Sequence, residues 1–132
     1  NFEGVKKTSI KTNKIDTILK EYNLLDYYLF IKLDIEGHEL QAIKGCINTI
    51  QKYNPIFIIE LSKYIFDKNY DSFIFLKNFL INFEYSIYDT NNNYITLDEV
   101  MKLLDNLDAS HKTIGNYYLI KNNESLKNDK II

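Results

Sequence analysis

The chain has 132 residues, of which 45% are hydrophobic and 26% charged, and its formal net charge is −2. That length supports one domain around one core, and the near-neutral, interspersed charge gives no basis for nucleic acid or an anionic membrane as a partner. A lone cysteine, Cys46, excludes an internal disulfide and fits a reducing, cytoplasmic setting, and no run of about 18 apolar residues is present to span a bilayer.

The chain opens on Asn1-Phe2-Glu3-Gly4, without an initiator methionine or the apolar core of a signal peptide, and reads as a cut into a longer chain. Glu3 to Lys11 alternates weakly, as an edge strand or extended entry would. Ile15, Ile18 and Leu19 share a face in a helix expected over Lys14 to Tyr22, with Thr12 or Asn13 as its cap. Tyr27 to Leu33 is a nearly continuous apolar run, the pattern of a strand buried on both faces of a parallel sheet. From Glu39 to Tyr53, the residues Leu40, Ile43, Cys46, Ile47 and Ile50 recur at helical spacing, with Cys46 on the apolar face. Gly45 lies inside this helix, and close packing against the sheet would account for it.

Asn54-Pro55 stops that helix. Ile56 to Glu60 is a second apolar run of strand length, with Ile58 expected in its buried part. Strand, helix and strand within about 35 residues make a βαβ unit. Asp71 to Phe83 is helical, with Phe73, Leu76, Leu80 and Phe83 on one stripe, and Tyr85 to Tyr88 is a strand. Asp89 to Asn93 is a polar turn. Thr96, followed three residues later by Glu99, forms a capping box for a helix through Leu107. Ala109 to Asn116 reads as loop, Tyr117 to Lys121 as a last short strand, and residues 122–132 as a polar tail. The order is βαβαβ plus a final strand, which is one half of a doubly wound α/β fold.

Chemistry belongs where the first apolar run ends, in Leu33-Asp34-Ile35-Glu36-Gly37-His38. Ligands of open α/β sheets bind beyond the carboxyl ends of the strands. Asp34 and Glu36 would point to the same side if the strand stays extended. Such a pair can position a hydroxyl, act as a base, or, with His38, hold a divalent cation. Glu60 ends the neighbouring strand and would line the same crevice, unless it pairs with Lys63. His111 reads as a surface loop residue. No phosphate-cradling glycine turn, P-loop, Cys-x-x-Cys or Gly-x-Ser-x-Gly is present.

Three segments together resemble the FkbM family of S-adenosylmethionine-dependent methyltransferases. They are Ile31-Lys32-Leu33-Asp34-Ile35-Glu36-Gly37, then Glu39-Leu40 with Ile43-Lys44-Gly45, then Asn54-Pro55-Ile56-Phe57-Ile58-Ile59-Glu60. Thr8-Ser9-Ile10, Ile15-Asp16 and Asn116 to Ile120 extend the likeness more weakly. The resemblance implies a Rossmann-like class I methyltransferase fold. Residues 1–121 would supply its C-terminal half, strands four to seven, the last antiparallel and inserted between its neighbours. It implies methyl transfer to oxygen, on a sugar or small-molecule hydroxyl. Asp34 and Glu36 would be the catalytic carboxylates, Asp34 also flanking the cofactor, with Glu36, His38 and Glu60 on the acceptor and no metal required. The family's glycine-rich cofactor turn is not in this chain, so the resemblance places the activity in a longer parent, with these residues inactive alone. The other reading is a non-catalytic α/β module derived from that fold. In either case an exposed sheet edge would favour homo-oligomers.

Overall fold

The computed structural model describes residues 8–67, 70–106 and 114–122. Helix α1 (Ile15–Leu19) precedes strand β1 (Phe30–Leu33). Helices α2 (Glu39–Lys44) and α3 (Ile47–Tyr53) lead to β2 (Ile56–Ser62). Helices α4 (Lys63–Asp67) and α5 (Tyr70–Asn82) precede the hairpin of β3 (Tyr85–Tyr88) and β4 (Tyr94–Ile95). Helix α6 (Leu97–Asn106) and strand β5 (Ile114–Lys121) complete the order. The five strands form one sheet in the order β1-β2-β5-β3-β4. β1 and β2 are parallel, with Phe30 opposite Ile56 and Leu33 opposite Ile59. β5 runs antiparallel between β2 and β3, pairing Phe57 with Leu119 and Ile87 with Leu119. The parallel pair and the inserted antiparallel strand are thus both present. His111 lies outside the described residues.

Among the described residues, one face of the sheet is the more deeply covered. In β2, Phe57, Ile59 and Leu61 are fully buried, whereas Ile56, Ile58, Glu60 and Ser62 are half-buried. Tyr85 and Ile87 of β3, and Tyr117 and Leu119 of β5, continue the buried row. Helix residues Ile43, Ile50, Leu76, Phe79, Val100 and Leu104 pack against that row in one core. Phe79 is its aromatic hub. Its ring lies 5.1 Å from Tyr85, 5.4 Å from Phe83 and 6.2 Å, edge-on, from Phe57, and the Tyr85 hydroxyl donates to the Pro55 carbonyl at 2.8 Å. Of the expected stripe, Leu76 is fully buried, whereas Phe73, Leu80 and Phe83 are only partly buried and Phe79 takes the central place. Cys46 is in the core as its helical position implied; burial pushes its thiol pKa up to about 12, which removes thiolate reactivity.

Several expectations need correction. The run from Tyr27 is not a strand throughout: pairing starts at Phe30, and Tyr27 and Tyr28 are 71% and 92% exposed. Nor is β1 buried on both faces; only Leu33 is buried, because β1 is the sheet's edge among the described residues. Ile58 is only half-buried, on the other face, and its neighbour Ile59 takes the core position. Tyr94 and Ile95, to which the sequence reading assigned no element, pair with Tyr88 and Ile87 as a short strand. Asp89 makes that hairpin by accepting from the backbone N–H groups of Asn91 and Asn93, each at 2.8 Å. Asn122 belongs to the sheet end rather than to a tail, since its N–H donates to the Glu84 carbonyl at 2.7 Å. The capping box at Thr96 and Glu99 forms as expected, with reciprocal bonds of 2.8 and 3.2 Å.

The expected helix from Glu39 to Tyr53 is two helices. Gly45 closes α2, and α3 begins at Ile47. Asp16 of α1 explains the break. Its carboxylate accepts from the backbone N–H groups of Asn48 (3.0 Å) and Thr49 (2.8 Å), and from both of their side chains. These are the amides that a helix start leaves unpaired, so a cap supplied from α1 fixes where α3 begins. Asp16's own N–H donates to the Gly45 carbonyl at 3.0 Å. A side chain at Gly45 would first meet the Ala42 carbonyl of α2 at 3.3 Å, then the Gln41 carbonyl and the Lys14 backbone just before α1, and not the sheet. Helix α1 is shorter than expected and starts after Lys14 with no side-chain cap, so neither Thr12 nor Asn13 plays that part.

Candidate functional site at the strand ends

The parallel pair β1 and β2 brings its carboxylates to one end of the sheet. Leu33 is opposite Ile59, so the next residue of each strand sets Asp34 beside Glu60. On the far side of β2, Glu60 is opposite Asn116 of β5. Asp34 does not stand alone: Lys32, on the same face of β1, donates to it at 2.6 Å. That hydrogen bond and the lysine's charge hold the Asp34 carboxyl below its ordinary pKa. Glu60 moves the other way. Partial burial, then the charges of Asp34 and Glu36, raise its pKa. A proton entering this pair therefore resides on Glu60, and the negative charge on Asp34.

Past Leu33 the chain leaves the sheet, so Asp34 and Glu36 do not extend one strand as expected. Glu36 has φ 54° and Gly37 φ 95°, two successive residues in left-handed backbone. For the non-glycine Glu36 this conformation costs about 1–2 kcal/mol. At Gly37 a side chain would be strained by φ alone, and the Tyr64 ring lies 3.4 Å from where its Cβ would stand. Tyr64, in α4 directly after β2, flanks the loop.

Glu39 secures the loop from below. It is the first residue of α2 and only 1% exposed. Its Oε1 accepts from the Ile35 N–H at 3.0 Å and the Gly37 N–H at 3.2 Å. Its Oε2 is buried with no hydrogen-bond partner among the described residues. His38 precedes α2, is exposed, and makes no side-chain cap to it. Among the described residues, no three His, Cys, Asp or Glu side chains are arranged to hold a metal ion. Lys63, considered as a partner of Glu60, reaches Asp105 of α6 at 2.9 Å.

The structure thus brings Asp34 and Glu60 together, places Glu36 on the adjoining turn, and leaves His38 on the outer surface. Sequence reading missed Lys32, Glu39 and Tyr64. Only Glu39 left a signal, as a carboxylate two residues after the turn glycine at a helix start.

A model of the methyltransferase FkbM domain matches residues 2–95. The chain belongs to the FkbM methyltransferase family. The matched span of this FkbM domain contains the loop from Asp34 to Gly37, Glu39 and Glu60; β5, with Asn116, follows it. Searches of curated proteins and of solved structures return no match. No described helix of this family member is long and apolar enough to cross a membrane.

Proposed function

We propose that the chain contributes the acceptor side of an S-adenosylmethionine-dependent O-methyltransferase site, acting on a sugar or small-molecule hydroxyl. In this reading β1, β2, β3 and β5 correspond to strands four to seven of a class I methyltransferase. The observation that carries it is the carboxylate-lined end of the parallel pair, with Asp34 and Glu60 side by side and Glu36 on the adjoining turn, in a chain of a methyltransferase family.

The donor set suits the cofactor's cationic end. Asp34, Glu36 and Glu60 are carboxylates at one sheet end, and carboxylates stabilise a sulfonium and an ammonium. When bound, S-adenosylmethionine supplies an electrophilic methyl group on a positively charged sulfur. The chain's residues do the rest by holding the acceptor in line and removing its proton. Asp34, held ionised by Lys32, is a weak base and suits orientation and charge stabilisation. Glu60, with its raised pKa, is the stronger base and is the better acceptor for the hydroxyl proton. Glu36 presents its carboxylate from the turn, where it would contact the acceptor; His38 is reassigned to the rim.

Isotope-labelled methyl transfer tests this in the protein that carries the chain. Transfer to hydroxyl acceptors, reduced in Asp34→Asn and Glu60→Gln, supports it. Tight binding of S-adenosylmethionine with no transfer to any hydroxyl acceptor would favour a binding module instead.

A further inference from the structure

Glu39 has no assigned role in the reading above, yet it is the most buried carboxylate at the site. We infer that Glu39 is a positioning residue that fixes the Asp34–Gly37 loop, and with it the direction of the Asp34 and Glu36 carboxylates, through its two backbone hydrogen bonds. The inference rests on the methyltransferase reading only for what the loop is aimed at.

The chain turns out of β1 through left-handed conformations at Glu36 and Gly37. A left-handed non-glycine residue persists only where its surroundings over-determine it. Two of the turn's amides, those of Ile35 and Gly37, flank Glu36 on either side and point at a single oxygen, Oε1 of Glu39. One oxygen thus satisfies both amides, and it acts from a site excluded from water, with Glu39 1% exposed. Side chains on rigid elements hold a constellation better than side chains on loops. Glu39 belongs to α2, whose Leu40 and Ile43 are in the core, so its two hydrogen bonds tie the loop to the core. The exposed carboxylates Asp34 and Glu36 then need no packing of their own.

Glu39's second oxygen sharpens the test. Oε2 is buried without a partner among the described residues, so one acceptor atom performs the positioning. Glu39→Gln keeps a carbonyl oxygen that can face the two amides; Glu39→Ala keeps none.

Amide hydrogen exchange reads this directly and needs neither cofactor nor acceptor. In the unaltered protein the Ile35 and Gly37 amides are protected. In Glu39→Ala both exchange faster by about tenfold, the scale of one lost hydrogen bond, while the amides of Ile59 and Leu119 in the central strands keep their protection. Glu39→Gln restores much of the protection. In the methyl-transfer assay, Glu39→Ala lowers kcat more than it raises KM for S-adenosylmethionine, and Glu39→Gln recovers most of it. Unchanged protection at Ile35 and Gly37 in Glu39→Ala overturns the inference, since the turn would then hold itself. Equal loss in Glu39→Ala and Glu39→Gln overturns it too. Should no methyl transfer be found in the unaltered protein, the methyltransferase reading fails, while the exchange result still decides whether Glu39 fixes the loop.

Discussion

Replacing Asp16 with alanine removes one carboxylate that accepts four hydrogen bonds at the start of α3. Loss of a helix cap costs about 1 kcal/mol, up to about 2. Thr49 is 4% exposed, so its hydroxyl also loses its acceptor in a buried place, a further cost of about 1–3 kcal/mol. The expected destabilisation is roughly 2–5 kcal/mol near neutral pH. Burial pushes the Asp16 pKa up, but the hydrogen bonds from Thr49 and Asn48 outweigh it and hold the carboxyl below its ordinary value of 3.8. A lowered folded pKa means the unfolded chain binds the proton more readily. The stabilisation is therefore complete above the unfolded pKa and is lost as pH falls through the folded one. Urea unfolding of the protein and of Asp16→Ala, near neutral pH and again on the acid limb, measures both effects. The gap between them should shrink in acid. Thr49→Val in the same series should be strongly non-additive with Asp16→Ala. A gap under about 0.5 kcal/mol, the size of an ordinary surface change, or one that is the same at both pH values, would refute the reasoning.

Phe79→Ala should cost about 3–5 kcal/mol, because the ring is 2% exposed and meets Phe57, Phe83 and Tyr85; thermal melts should show Ile58→Ala, at a half-buried position, to be milder. Lys32→Ala should move the Asp34 pKa up toward its ordinary value, since the hydrogen bond and charge of Lys32 are its leading causes; carboxyl NMR titration that finds Asp34 unmoved would remove Lys32 from the site. The outer edge of β1 carries no partner strand among the described residues, so self-association through Phe30–Leu33 is expected of the 132-residue chain. Sedimentation at rising concentration checks it, and a stable monomer throughout would count against it.

Much of the fold was legible because apolar runs and helical spacing are local signals. The runs at Leu33 and at Ile56 to Ile59, separated by an amphipathic stretch, mark a parallel pair wherever the chain is read. What escaped depended on residues far apart in sequence. The α2–α3 break needs Asp16, about 30 residues upstream of the amides it caps, and no periodicity in Leu40 to Ile50 reveals it. Strand alternation shows that Ile58 and Ile59 face opposite ways, but which of them meets helices is a tertiary fact. At the site, Asp34, Glu36 and Glu60 stood out as carboxylates ending apolar runs. Their division of labour did not, since it follows from Lys32 lying beside Asp34 and from partial burial of Glu60. Glu39 stands in the sequence only as the start of a helical stretch; its role depends on the turn that brings the Ile35 and Gly37 amides onto one oxygen.

The most direct test of the central claim is labelled methyl transfer from S-adenosylmethionine to hydroxyl acceptors by the protein that carries this chain, compared with Asp34→Asn, Glu36→Gln and Glu60→Gln. These substitutions keep volume and remove charge, so folding should be preserved. The account predicts that Glu60→Gln loses turnover by on the order of 10²- to 10⁴-fold, as expected when a proton acceptor is removed. Asp34→Asn and Glu36→Gln should fall with a larger share of the loss in acceptor KM. Full turnover in all three variants, with their structure intact, would contradict it.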